Sequence, residues 1–173
     1  MGPMSISSQG QEPFGELGLR SHEWARVRIS DIGGQSEYAV LAGATVPDQV
    51  AVADARGRVG DLIGTYWASL LIAGPRFIDV VTDAGLTGCV FVPLQITGNP
   101  LIQDGALLQV SGRCGPIETP GLDQLIQLDT WDGKDFFIAE NNGRVRLSPR
   151  ALTVLRKARL RNVLVEPARV EFI

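Results

Sequence analysis

A chain of 173 residues that is 45% hydrophobic and 20% charged can bury a core of its own and has no compositional reason to stay disordered. Two cysteines and the absence of a fixed glycine period or a heptad exclude a disulfide scaffold, a collagen and a coiled coil. The formal net charge of −3 speaks against a general nucleic-acid binder.

Residues 1–20 are polar and rich in Gly and Pro, and read as a flexible tail ahead of a single domain over 21–173. They lack the basic-then-apolar pattern of a signal peptide. Trp24 to Ile29 alternates polar and apolar residues, as a half-buried strand does. Asp31-Ile32-Gly33-Gly34 marks a turn, Tyr38–Leu41 suits a second strand, and Val50-Ala51-Val52 a weaker third.

An internal repeat carries the most information. Residues 61–96 align without a gap on residues 135–170, and seven of the 36 columns are identical, including Asp61/Asp135, Pro75/Pro149, Arg76/Arg150 and Pro93/Pro167. Average residue usage would give about two. Each copy opens with an apolar strand segment, Ala68–Ile72 or Val145–Leu147. Gly74-Pro75-Arg76 or Ser148-Pro149-Arg150 then starts a helix, because the cap residue precedes a proline that has no N–H to leave unsatisfied. Phe77, Ile78, Val81 and Ala84 fall at helical spacing, as do Ala151, Leu152, Leu155 and Ala158. Gly85 and Asn162 mark the exits, and each following strand, Cys89–Val92 or Val163–Val165, runs into a proline suited to a sheet edge or a bulge. Leu107–Val110 and Leu125–Leu128 add strands between the copies. The expected architecture is α+β, a mixed sheet with two strand–helix–strand units over 61–96 and 135–170.

Residues 1–133 carry seven basic and fifteen acidic side chains, and residues 134–173 nine basic and four acidic. The basic run from Arg144 to Arg161 reads as a solvated helix face partly paired with the acidic body, and it lacks the interleaved aromatics of a single-strand binder. Nucleic-acid contact through it is the sharper alternative. Asp123, Asp129, Asp132, Asp135 and Glu140 form an acidic stripe around Trp131, and this stripe, with Trp131 and without Asp135, is the expected partner-binding surface.

Chemistry-bearing residues are sparse. His22, the single histidine, reads as a surface residue. Cys89 and Cys114 match no zinc or CxxC spacing and read as buried free thiols of a cytoplasmic protein, with one disulfide between them as the alternative. The glycine-rich Gly57–Gly64 stretch is neither GxGxxG nor a P-loop. Asp61 and Asp135, at equivalent positions, read as turn or cap aspartates, with a paired carboxylate site as the alternative. These residues predict no enzyme, no metal site and no cofactor. No apolar run reaches the length of a membrane span.

The stretch Gly60–Ile72, then Pro75-Arg76-Phe77 and Leu86–Pro93, with its second copy from Asp132 through Ser148-Pro149-Arg150 to Pro167, resembles bacterial polymorphic-toxin immunity proteins, the group that includes the myxobacterial double-CXXCG type. The CXXCG cysteines are absent, so no metal site is carried over. The resemblance implies a cytoplasmic immunity protein, or antitoxin, that binds a cognate toxin and blocks its active site without catalysis. Nucleases of the HNH type are among the toxins it implies. An interaction or adaptor domain without a toxin is the alternative.

Overall fold

The computed structural model describes residues 13–47 and 50–173. Among these described residues, fourteen strands and three helices follow in chain order. They are β1 (Gly15–Gly18), β2 (Val27–Arg28), α1 (Glu37–Leu41), β3 (Ala51–Ala53), β4 (Leu62–Gly64), β5 (Leu71–Ala73), α2 (Pro75–Asp83), β6 (Cys89–Pro93), β7 (Ile96–Thr97), β8 (Ala106–Val110), β9 (Gly112–Cys114), β10 (Leu125–Ile126), β11 (Phe136–Ala139), β12 (Asn142–Leu147), α3 (Pro149–Ala158), β13 (Leu164–Pro167) and β14 (Glu171–Phe172). A 3₁₀ turn spans Leu128–Thr130. The fold is α+β, with a mixed five-stranded sheet ordered β13-β1-β12-β11-β9 and an antiparallel four-stranded sheet ordered β4-β5-β8-β6. Two small sheets, β2-β3-β7 and β10-β14, complete it.

The repeat is visible in three dimensions. β4-β5-α2-β6 in the first copy answers to β11-β12-α3-β13 in the second, so each strand–helix–strand unit is preceded by a further hairpin strand. Ser148 caps α3 by accepting from Ala151 N at 3.1 Å, whereas Gly74 caps α2 without a side chain. Phe77 and Val81 of α2, and Ala151, Leu152 and Leu155 of α3, are buried, as the spacing predicts. Pro93 and Pro167 both lie on edge strands, where a missing N–H breaks no ladder.

The strand between hairpin and edge shows how the copies interlock. In the four-stranded sheet, β8 carries Ala106 opposite Ala73 and Pro93, and Leu107 opposite Ile72 and Val92. In the five-stranded sheet, β1 carries Gly15 opposite Leu147 and Pro167, and Glu16 opposite Arg146 and Glu166. These partners are the same repeat positions. β1 precedes the first copy yet completes the sheet of the second, and β8 precedes the second copy yet completes the sheet of the first. The halves have exchanged their leading strands.

This corrects the reading of residues 1–20 as a tail. Residues 1–12 lie outside the described residues, but Gly15–Gly18 is an interior strand with Leu17 buried. Its sequence, GELG, gives no β signal; the strand forms because two partners flank it. Gly15 lets α3 pack closely there, since an added Cβ would sit 2.8 Å from Leu152 Cδ1 and displace that side chain. Tyr38–Leu41 is helical rather than extended. Ser36 caps it through Ala39 N, and an apolar run of four residues does not by itself separate the two periods. The segment predicted as a strand over Ala68–Ile72 is extended only from Leu71, because Thr65 ties the preceding turn through hydrogen bonds to Trp67 O and Leu70 O, both 2.8 Å. Leu125–Leu128 is extended only through Ile126. Of the strand expected over Trp24–Ile29 only Val27–Arg28 pairs as one, although the alternation holds: Ala25, Val27 and Ile29 are buried, and Trp24, Arg26 and Arg28 are more exposed.

One hydrophobic cluster draws from both copies and both large sheets, with Phe77, Phe136, Leu107 and Leu147 fully buried. A satellite cluster of Cys114, Ile126, Phe137, Ala139 and Val170 lies beside it under Phe14, Trp131 and Phe172.

Candidate functional site

Asp61 and Asp135 do not form a paired carboxylate site. They share no partner; each is latched separately, in the same way. Asp135 accepts from Ser148 Oγ at 2.7 Å, Arg150 Nη2 at 2.7 Å and Thr87 N at 2.8 Å. Asp61 accepts from Arg76 Nη1 at 3.3 Å and Arg161 N at 2.6 Å. The two arginines then reach across the molecule. Arg76 donates to Ala158 O at 2.8 Å, at the end of α3, and Arg150 donates to Gly85 O at 2.8 Å, just past α2. Each copy's aspartate–arginine pair thus closes the helix C-terminus of the other, where a cation is favoured by the helix dipole. Burial pushes the Asp135 carboxyl up, but the hydrogen bonds from Arg150, Ser148 and Thr87 prevail and hold it at about 2. The role is structural.

The predicted acidic stripe is divided. Asp135 is the buried latch already described, whereas Asp123, Asp129, Asp132 and Glu140 are exposed. Asp132 is also structural: its Oδ2 accepts from Arg113 N at 2.9 Å and its N–H donates to Arg113 O at 3.0 Å, which closes the open edge of β9. Trp131 is half-buried rather than free. Its ring packs edge-on to Phe14 at 5.1 Å and tilts against Phe137 at 5.5 Å, and its indole N–H donates to Lys134 O. Asp132 and Glu140 both push up the Cys114 thiol, so they flank the same end of β9, while nothing joins Asp123 to them.

The basic run is mostly committed to internal pairs. Arg150 and Arg161 face Asp135 and Asp61. Arg146, 2% exposed, is hydrogen-bonded to Glu16, itself 5% exposed. Arg144 Nε lies 3.6 Å from the same carboxylate, and Arg169 N donates to Glu16 Oε2 at 2.8 Å. Burial draws the Arg146 guanidinium below its usual value, against the pull of Glu16. Its Nε is buried without a hydrogen-bond partner. The row Glu166–Glu16–Arg146 across β13, β1 and β12 occupies the positions filled by Val92–Leu107–Ile72 in the other sheet. In this row the two copies of one architecture differ in kind: apolar in one sheet, charged in the other. A buried ion pair is seldom more stable than the apolar side chains it replaces, which singles out the charged row as more than packing.

A cleft of about 690 Å³ lies over that row. Glu16, Arg144, Glu166 and Arg169 line it on the sheet side, and His22, Arg26 and Tyr66 on the other. The Arg26 and Arg28 guanidiniums stand 4.1 and 4.3 Å from the centre of the Tyr66 ring. Tyr66 is 41% exposed and donates to Asp54 Oδ1 at 2.9 Å, while Arg26 N donates to Asp54 Oδ2 at 2.9 Å. Beside them Arg58 stacks on Trp24 at 4.3 Å. Sequence reasoning missed this cluster. Its signal was present in the outward positions of the predicted strand, Trp24, Arg26 and Arg28, but Arg58 and Tyr66 join only through the fold.

Cys89 and Cys114 are both free thiols. Burial pushes Cys89 well above its usual value and Cys114 to about 11, so neither is poised as a nucleophile. Among the described residues no group of three or more His, Cys, Asp and Glu side chains is placed to hold a metal ion, and no helix is long and apolar enough to cross a membrane. Compared with protein families and with curated proteins, the sequence matches no family model and no curated relative.

Proposed function

We propose that this chain is an immunity protein, which binds a cognate toxin in the cytoplasm and neutralises it by covering its active site rather than by catalysis. The reading starts from the resemblance carried by the two repeat blocks. The observation that supports it most directly is the acidic edge beside β9, where Asp129, Asp132 and Glu140 stand exposed on a backbone held by the Asp132–Arg113 closure and by Gly115 N to Thr130 Oγ1 at 2.9 Å. A rigid acidic surface suits the basic substrate cleft of a nuclease, because charge complementarity speeds encounter and little side-chain order is lost on binding.

The test is co-expression with the product of the adjacent gene, scoring growth rescue and co-purification. The expected result is a neighbour that is toxic alone and harmless in a stable complex with this chain. Charge reversal at Asp129 and Glu140, whose side chains make no hydrogen bond among the described residues, is expected to weaken that complex and its rescue. Asp132 is unsuitable for this test, since its loss also opens the β9 edge. A neighbour that is harmless, or does not bind, removes the toxin and leaves an adaptor domain.

A further inference from the structure

We propose that the cleft over the Glu16–Arg146 row is a second binding surface, which takes an acidic peptide segment of a protein partner. It shares no residue with the acidic edge, so it stands or falls separately from the immunity reading.

Three observations converge on the cleft. The first is the replacement of an apolar row by a charged one at matched repeat positions. Glu16 is satisfied by Arg146 and by the Arg169 backbone, which leaves Arg144, 3.6 Å away and without a hydrogen bond to the carboxylate, facing the cleft. The second is the charge balance. Three arginines and two glutamates line the cleft, with Arg169 paired to Glu166; Arg146 behind Glu16 and Arg28 on the Tyr66 ring add two positive charges and Asp54 beside Tyr66 one negative, which leaves an excess of two positive charges. A positive island on a chain of net −3 selects an anion. The third is preorganisation. Arg26 and Arg28 are held on Tyr66, and Tyr66 on Asp54, before any ligand arrives. A guanidinium that is already placed loses less freedom on binding, and its planar fork matches a carboxylate.

The same geometry favours peptide carboxylates over nucleic acid. A base would need a free aromatic face, and the Tyr66 ring is already engaged by two guanidiniums. The chain's net negative charge also opposes a long polyanion.

The experiment is fluorescence anisotropy of the full chain with a labelled decaglutamate at low and at raised salt, with decalysine and a single-stranded oligonucleotide of equal length as comparisons. Decaglutamate is expected to bind, to weaken with salt, and to lose about tenfold in affinity on Arg28→Glu and on Arg144→Gln. Both side chains are exposed, and an unchanged thermal midpoint establishes that the variants are folded. Four outcomes overturn the proposal: no decaglutamate binding at low salt, equal affinity in the folded variants, tighter binding of the oligonucleotide, or self-association of the wild type that Asp129→Lys with Glu140→Lys abolishes. The last would make the occupant a second copy of this chain. Growth rescue by the Arg28→Glu variant separates the two surfaces. Full rescue with lost decaglutamate binding leaves the immunity reading intact and assigns the cleft to another partner.

Discussion

Replacing Asp135 with asparagine tests the reciprocal latch. The carboxylate is 6% exposed and accepts from Ser148, Arg150 and Thr87. Asparagine keeps the shape but carries one acceptor oxygen, and its amide hydrogens turn towards groups that are themselves donors. A carboxyl held at about 2 instead of its ordinary 3.8 contributes about 2 kcal/mol to the folded state. The donors left unpaired raise the expected cost at neutral pH to about 2–4 kcal/mol, or about 5–12 °C in thermal midpoint for a chain of this size. Because the folded-state value is lowered, the contribution is fully present above the unfolded value of 3.8 and is lost as pH falls towards 2. Urea unfolding of wild type and variant at pH 7, 5, 3 and 2 reads this out. The gap between the two should narrow by about 2 kcal/mol between pH 5 and pH 2. A gap that does not change with pH, or one below about 0.5 kcal/mol at pH 7, would refute the account of Asp135 as a charged latch.

Gly88 and Asn162 occupy the same repeat position, and both have positive φ, 93° and 57°. Gly88→Ala is expected to cost about 3 kcal/mol or more, because a Cβ there would lie 2.1 Å from Phe136 O. Asn162→Gly should cost about 1 kcal/mol, since glycine tolerates the backbone and only the paired hydrogen bonds to Ser21 are lost; chemical denaturation compares the two. Cys89 and Cys114, both raised by burial, should resist alkylation in the native protein near pH 8 and react fully once it is unfolded, which mass spectrometry detects.

Much of the fold was legible because it rests on local chemistry. Pro75 and Pro149 at the first helical position, the capping Ser148, and the apolar stripes of α2 and α3 each act within one turn of helix. Pro93 and Pro167 marked sheet edges for an equally local reason. What escaped was non-local. GELG at 15–18 contains nothing that favours a strand, and it becomes one only between β12 and β13. The helix at Glu37–Leu41 depended on a cap by Ser36 that a four-residue apolar run obscures. The acidic stripe was visible as composition, but the work divided between Asp132, closing an edge, and Trp131, packing on Phe14, was not. Arg76 and Arg150 were identical columns whose function lay in the opposite copy, out of reach of any reading along the chain.

Exchange of leading strands makes a definite prediction about chain cleavage. The loop around Leu122 is fully exposed and lies between β9 and β10, after everything the first copy needs. A nick there by chymotrypsin divides the chain into a fragment with β1, the first copy and β8, and a fragment with the second copy. If the halves were independent units, the fragments would separate in gel filtration without denaturant. Here β1 of the first fragment is hydrogen-bonded on both sides to β12 and β13 of the second. Arg76 and Arg150 tie each fragment's helix end to the other, and Phe77 packs on Phe136 across the cut at 6.4 Å. The nicked protein is therefore expected to elute as one species and to keep its near-UV circular dichroism. Urea should separate the fragments in the same transition that unfolds them, because the five-stranded sheet of the second fragment is incomplete without β1 and β9 of the first. Separation under native conditions, with either fragment retaining a cooperative transition alone, would show that the exchanged strands and crossed arginines do not carry the coupling assigned to them.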